Sequence, residues 1–427
     1  GYWRIDSTSA DVLECLEPSA CVGGNFTFSS SSSATASRRR LATMYEGDAY
    51  CAEGYEGLKC AVCSSNYYAV GYVCSQCDAG NRASKIISIV LLGAAIVIFV
   101  LLVLRGQAIK DSTTDGGENG ADAMAALGGG GAGGGGRGCI ASTAQAVRQK
   151  ADTLVVKFKI LVTHYQMVVQ LPAVLDVAFP ETFTRFAEAF NVLNFDFWGI
   201  LSQGCFFDPN FYKQLVSVTF MPVGIILLLF CNYWYRRHRY GGASRVRTMW
   251  DKTVSAVLLV TFFFYTAVST TVLRTFNCEQ FDDGGKYLQA DFDISCESKR
   301  YKAFATFAGV MVLVFPLGVP LLYAGLLYKD RKRLSPPHVS QAAALAARRD
   351  DSTLRYTSFL WETYRPRAYL YEVWECVRKL LMTGLLVYFK QGTSTQVVIA
   401  ILITLVAMRV FNAARPYKRK DENSLAE

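Results

Sequence analysis

The stretch Ala303-Phe-Ala-Thr-Phe-Ala-Gly-Val-Met-Val-Leu-Val-Phe-Pro-Leu-Gly-Val-Pro-Leu-Leu-Tyr-Ala-Gly-Leu-Leu-Tyr328 carries no charged side chain, and Lys329-Asp-Arg-Lys-Arg333 follows it at once. A run of this length exceeds the about 20 apolar residues that a helix needs to cross a bilayer. An apolar stretch closed by a basic cluster reads as a membrane span that ends on the cytoplasmic side. Outward from it, further apolar segments run over 86–104, 160–177, 215–235, 254–272, 373–389 and 397–411. The pattern predicts an all-α polytopic membrane bundle of about seven transmembrane helices. The sixth is the least regular, because Glu375, Arg378 and Lys379 stand in its first turns. Composition agrees: of 427 residues, 52% are hydrophobic and 19% charged, against about 45–50% and about 25% in soluble domains. A purely soluble enzyme, a disordered chain and a small disulfide scaffold are excluded.

The domain reading follows from these spans. Residues 1–80 are a cysteine-rich extracellular module, 81–105 the first span and 106–152 a cytoplasmic linker. Spans two to five occupy 153–336, with outer loops at 178–214 and 275–302. Residues 337–378 form an inner interfacial segment, 373–411 spans six and seven, and 412–427 a cytoplasmic tail. The glycine run 128–136 lacks the Gly-Lys-Ser/Thr of a phosphate-binding loop, so it reads as a flexible linker. With the module outside, the clusters at 236–239, 329–333, 348–349 and 418–420 all fall inside, giving an N-out, C-in chain. The net charge of +9 is then an orientation signal, acidic outside and basic inside, and no nucleic-acid partner is expected. The opening residues show no signal-peptide pattern, and both ends are abrupt, so a piece of a longer protein is expected.

The chain has thirteen cysteines. Cys278 and Cys296 are expected to close their own outer loop, and Cys15 to pair with Cys21. Cys51-Ala-Glu-Gly-Tyr-Glu-Gly-Leu-Lys-Cys60 continues through Cys63 and Tyr67-Tyr68 to Cys74-Ser-Gln-Cys77. This stretch resembles the last loop of an EGF or laminin-EGF module. The resemblance implies the pairs Cys51–Cys60 and Cys63–Cys74, and leaves Cys77 to bond Cys205 and staple the module to the bundle. A zinc knuckle on Cys60, Cys63, Cys74 and Cys77 is the weaker alternative on the oxidising side of a membrane. Asn25-Phe-Thr27 is a glycosylation sequon beside a serine run, as suits an exposed outer loop.

Three sets of residues are candidates for chemistry. Lys159, Thr163, Gln166 and Gln170 share one helical stripe in the second span. Polar groups at membrane depth serve function or pack helices together by hydrogen bonds, and packing is the favoured reading. His164 lies off that stripe. Pro222, Pro316 and Pro320 remove backbone donors from the third and fifth spans and mark kinks. Trp361, Arg365, Arg367, Trp374 and Arg378 mix aromatic and basic groups as headgroup-level anchors do, so a helix on the inner interface, with a lipid-headgroup site, is expected there.

The order of the Tyr2-Trp-Arg4 opening, Cys21-Val-Gly-Gly24, the Cys51 to Cys77 pattern, Lys159-Ile-Leu161 near Gln166 with Phe179-Pro180 after it, Phe359-Leu-Trp-Glu-Thr-Tyr-Arg-Pro366 and Glu372-Val-Trp-Glu-Cys-Val-Arg-Lys-Leu-Leu381 resembles a known group. It is the multi-pass C-terminal region of large algal and protist surface proteins that carry EGF-like modules and are described as transient-receptor-potential-like. The resemblance implies a plasma or ciliary membrane setting. The function expected is a membrane anchor for an extracellular filament or matrix-type protein. Its partners are the bilayer, extracellular assembly partners or the rest of its own chain, and a membrane channel partner.

A cation channel or channel-associated subunit is the alternative. It is favoured by Glu279, Asp282, Asp283, Asp291, Asp293 and Glu297 in one outer loop and opposed by the short connection at 390–395, which leaves no room for a pore helix. A seven-span receptor is the third reading, although Asn232-Tyr-Trp-Tyr-Arg236 is not the receptor Asp-Arg-Tyr motif. No H-E-x-x-H or G-x-S-x-G motif is present and only three histidines occur, so neither an enzyme nor a metal or other cofactor is expected.

Overall fold

The computed structural model describes residues 1–4, 9, 11–23, 50–70, 73–77, 154, 156–170, 174–175, 182–183, 210–240, 242–281, 284–389 and 393–426. Asn25, Cys205, the expected first span, the glycine-run linker and most of the outer loop 178–214 lie outside these residues. The chain divides into two compact units, 1–85 with 165–416, and 86–164 with 417–427.

The first unit is built on helices. Residues 156–170 form α1, whose last turns belong to it. Next come α2 (Phe211–Tyr240), α3 (Ala243–Arg274), α4 (Lys299–Val312) and α5 (Gly318–Lys329), the last two joined by a π turn, Leu313–Leu317. Then follow α6 (Gln341–Asp350), α7 (Tyr371–Thr383) and α8 (Ser394–Ala414). Four stretches among the described residues are long and apolar enough to cross a membrane: Phe211–Arg239, Val246–Arg274, Lys299–Lys329 and Ser394–Ala414. Burial ranks them. The apolar window of α3 is 61% buried and that of α8 only 11%, so α3 is the axis on which Leu215, Phe315, Tyr323, Leu360 and Cys376 pack.

Side chains fix where the helices begin. Asp291 Oδ2 accepts from the Phe211 amide at 3.1 Å and Asn210 Oδ1 from the Tyr212 amide at 2.9 Å, so donors at the start of α2 are capped. Ser298 does the same for α4 through the Tyr301 amide, and Ser340 for α6 through Ala343. Burial raises the Asp291 carboxyl above its ordinary range, against the pull of its two amide donors.

The three prolines behave differently. α2 stays helical through Pro222, and α5 stays helical through Pro320. Only Pro316 lies in an irregular turn, the π turn. Gly318 follows it because a Cβ there would stand 2.8 Å from the Leu313 carbonyl oxygen.

The expected sixth span, 373–389, is not one continuous membrane-length helix. α7 has 13 residues, a 3-10 turn Leu385–Tyr388 follows, and the segment is absent from the membrane-length helices. Thirteen residues rise about 20 Å, short of the about 30 Å hydrocarbon core. Gly384 ends α7 where a Cβ would collide with the Leu273 side chain of α3. The segment packs closely against α3 at this point.

Three short hairpins form the N-terminal part: β1 (Tyr2–Trp3) with β2 (Leu13–Glu14), β3 (Tyr55–Glu56) with β4 (Val62–Cys63), and β5 (Tyr67–Val70) with β6 (Val73–Gln76). Disulfides join Cys15 to Cys21, Cys51 to Cys60 and Cys63 to Cys74. Cys77 is disulfide-bonded too. Between α3 and α4 the chain folds into an antiparallel sheet, β7 (Cys278–Gln280), β8 (Lys286–Leu288) and β9 (Asp291–Ser295), whose ends Cys278 and Cys296 are bonded.

In the second unit the described residues hold the first turns of α1, residues 417–419 and the helix α9 (Lys420–Ala426). Lys157 meets Asp421 at 3.4 Å, and the Asn423 side-chain amide donates to the Tyr417 carbonyl. Lys159 is half-buried and Thr163 buried in this unit.

Candidate functional site

The hairpins dock on the sheet between α3 and α4. Trp3, Cys15, Cys21, Leu58 and Cys60 share one buried cluster with Phe281 and Phe292. Trp3 meets Phe281 edge to face, with centroids 6.4 Å apart, and Phe281 meets Phe292 likewise at 5.8 Å. Lys59 lies at the centre of the joint. Its Nζ donates to Glu279 Oε1 at 2.7 Å and stands 5.5 Å and 5.6 Å from the Phe281 and Phe292 ring centroids. Glu279 Oε2 is buried without a hydrogen-bond partner among the described residues.

The backbone at the joint is held in an unfavourable form. Lys59 and Cys60 both have left-handed backbones, φ 56° and 52°, which cost about 1–2 kcal/mol per non-glycine residue. The contacts of Lys59 and the packing of Cys60 hold these conformations in place.

A second constellation lies in the helix bundle. Gln166 Nε2 donates to the Phe263 carbonyl at 3.1 Å, and its Oε1 accepts from Thr266 Oγ1 and from Lys379 Nζ, both at 3.4 Å. Lys379 is 2% exposed and also stands 4.5 Å from the Phe262 ring centroid. The buried face of α7 carries Glu372, Glu375, Cys376, Lys379 and Thr383. Glu375 pairs with Arg378 at 2.6 Å, and Glu372 accepts from the Tyr364 hydroxyl at 2.8 Å. Tyr265 Oη reaches both the Pro316 carbonyl at 3.3 Å and the Cys376 carbonyl at 3.2 Å, tying α3 to the π turn and to α7.

The polar stripe read from the second span is thus divided between the two units. Within the first unit Gln166 is buried in the network and Gln170 half-buried. The sequence reading names Lys379 only as an irregularity of the sixth span, and does not single out its bond to Gln166, or Tyr265. The signal is ionisable residues inside an apolar stretch, which point toward a site as well as against a simple span.

Residues 337–378 also differ from the interfacial reading. Trp361 is 5% exposed and packs in the core with Leu360. Arg378 is bound to Glu375, Arg365 donates its amide to the Pro416 carbonyl, and buried Trp374 Nε1 and Arg365 Nε have no partner among the described residues. Only Arg367 of the five is exposed. Aromatic and basic residues at a bilayer surface and in a protein core have the same composition, and here Trp361 lies against the buried Arg348.

That arginine is 1% exposed. Its Nε donates to Leu334 O at 2.5 Å, Nη1 to Tyr364 O at 3.3 Å and Nη2 to Pro366 O at 3.2 Å, and its Cζ lies 5.3 Å from the Trp361 centroid. Burial lowers the guanidinium to about 10, which leaves it charged at neutral pH. No group of three or more His, Cys, Asp or Glu among the described residues is placed to hold a metal ion. Comparison with protein-family models, curated proteins and solved structures found no match to the chain.

Proposed function

We propose that this chain is the membrane-anchoring region of a larger surface protein, with the cysteine-rich module outside, about seven crossings, and the C-terminus in the cytoplasm. The observation that supports it is the joint at Lys59. A module that served only as a tethered binding head would need no shared core with the bundle's outer loop. Here an aromatic cluster and a partly buried ion pair join the two, so a pull on the ectodomain passes into α3 and α4. Four apolar helices resist extraction better than one. The EGF-like character of the module and a plasma or ciliary membrane location belong to the same proposal.

The test is hydrogen exchange on the full chain in bilayers. Lys59→Met should speed exchange of the Cys15 and Ala52 amides at least about tenfold, or about 1.4 kcal/mol of lost docking. The two substitutions Lys59→Met and Glu279→Gln should be strongly non-additive. Unchanged protection in Lys59→Met sinks the proposed mechanical joint.

A channel or channel-associated subunit is the second reading, favoured by ionisable groups buried among apolar helices. It requires a cation current in reconstituted bilayers that changes in Gln166→Ala or Lys379→Met. The anchor reading expects no current from the parent chain.

A further inference from the structure

We propose that the ends of α2 and α5 form a binding belt for acidic phospholipid headgroups. It differs in place from the site expected at Arg365, Arg367 and Arg378. At the end of α2, Arg237 Cζ lies 5.4 Å from the Trp234 ring centroid. Just past α5, Arg331 Cζ lies 4.0 Å from that of Tyr328. Both rings face outward, Trp234 at 63% and Tyr328 at 59% exposure. The same arrangement, an arginine three residues beyond an exposed aromatic, therefore closes two different membrane-length helices.

Depth along the helices places the two pairs together. Tyr212 of α2 stacks on Phe304 of α4 with centroids 4.3 Å apart, which sets a common level near the other end. From that level, Trp234 and Tyr328 lie roughly 33 and 36 Å farther along their helices at 1.5 Å per residue. The hydrocarbon core is about 30 Å thick. When Tyr212 and Phe304 sit at one boundary, Trp234 and Tyr328 reach the opposite headgroup layer, where amphipathic rings settle.

Charge then selects the lipid. Arg236, Arg237, Arg239, Lys329, Arg331 and Lys332 are exposed, and none stands within ion-pair distance of a carboxylate among the described residues. The nearby acid, Asp330, accepts from the Tyr356 hydroxyl at 2.9 Å. Arg333, by contrast, lies 3.9 Å from Asp351. At the other end, Asp291 accepts from the Phe211 amide two residues before Lys213, and Asp293 and Glu297 closely precede Lys299, Arg300 and Lys302 in the chain. Exposed, unneutralised guanidinium groups seated on aromatic rings at headgroup depth fit phosphate diesters with an added negative charge. The inference requires α2 and α4–α5 to cross the bilayer. It does not depend on which terminus faces the cytoplasm or on the anchor reading.

The full chain is reconstituted in phosphatidylcholine bilayers in which a small share of lipid is brominated, either as phosphatidylserine or as phosphatidylcholine. Tryptophan fluorescence reports contact. Brominated phosphatidylserine should quench as though enriched at least about five-fold over the choline lipid, which corresponds to about 1 kcal/mol for one basic group. The preference should vanish in R236Q/R237Q/R331Q/K332Q. It should persist in the other-end control K213Q/R300Q/K302Q and in the charge-retaining R236K/R237K/R331K. Equal quenching by the two lipids in the parent overturns the proposal. So does a preference that survives the quadruple substitution, or one lost in either control.

Discussion

Arg348→Met costs about 4 kcal/mol of the layer that carries α6, measured as faster hydrogen exchange over residues 341–366 and a lower melting temperature in detergent. The guanidinium meets three backbone carbonyls from separate segments, those of Leu334, Tyr364 and Pro366. Each buried acceptor left without a donor costs about 1–3 kcal/mol. Replacing a buried ion pair with apolar groups is often harmless because both partners leave together. Here the partners are main-chain oxygens and cannot leave. Arg348→Lys keeps the charge but not the planar fork, so it should recover less than half of the loss. A methionine variant that melts within about 0.5 kcal/mol of the parent would place Arg348 among ordinary surface-tolerant positions, and the account of this layer would be wrong.

Removal of the Cys278–Cys296 disulfide as C278S/C296S is expected to destabilise the β7–β9 sheet by about 3 kcal/mol. The bond closes a separation of 18 residues, and loops of that order give about 3 kcal/mol in the chain-entropy account. The effect should spread. Phe281, Phe292 and Glu279 stand on this sheet and receive Trp3 and Lys59, so the hairpins should lose their footing when it loosens. Exchange of the Trp3 and Cys15 amides should rise together with that of Leu288 and Ile294. If the sheet loosens while the hairpins stay protected, the two are not mechanically continuous, and the load path runs elsewhere.

The long apolar helices were legible in the sequence because hydropathy is local: the segments 215–235, 254–272, 303–328 and 397–411 each lie within a helix or helix pair that the structure shows. Segment 373–389 is less legible because its apolar residues accompany a polar buried face. A window average cannot show that Glu375 and Lys379 point into protein. The opposite error befell Trp361, where composition could not separate an interfacial anchor from a core side chain. The disulfides at Cys15–Cys21, Cys51–Cys60, Cys63–Cys74 and Cys278–Cys296 are four of the five named pairs. The fifth involves Cys205, outside the described residues. The joint at Lys59 was not legible at all, since its partner Glu279 lies 220 positions away and neither residue is unusual in its own neighbourhood.

The π turn has a consequence for helical phase. Ala308 and Leu327 are both 0% exposed, yet they lie roughly five and a quarter turns apart along a regular α-helix, which would set them about 100° out of line. A π turn takes up one extra residue and rotates all that follows by about that amount. The turn at Leu313–Leu317 therefore works as a phase corrector, letting one continuous strip of this long helix face α3 from Tyr301 to Leu327. A chain shortened by one residue within the turn would regain regular hydrogen bonding. It would also swing Tyr323 away from Thr261, its 2.7 Å partner on α3.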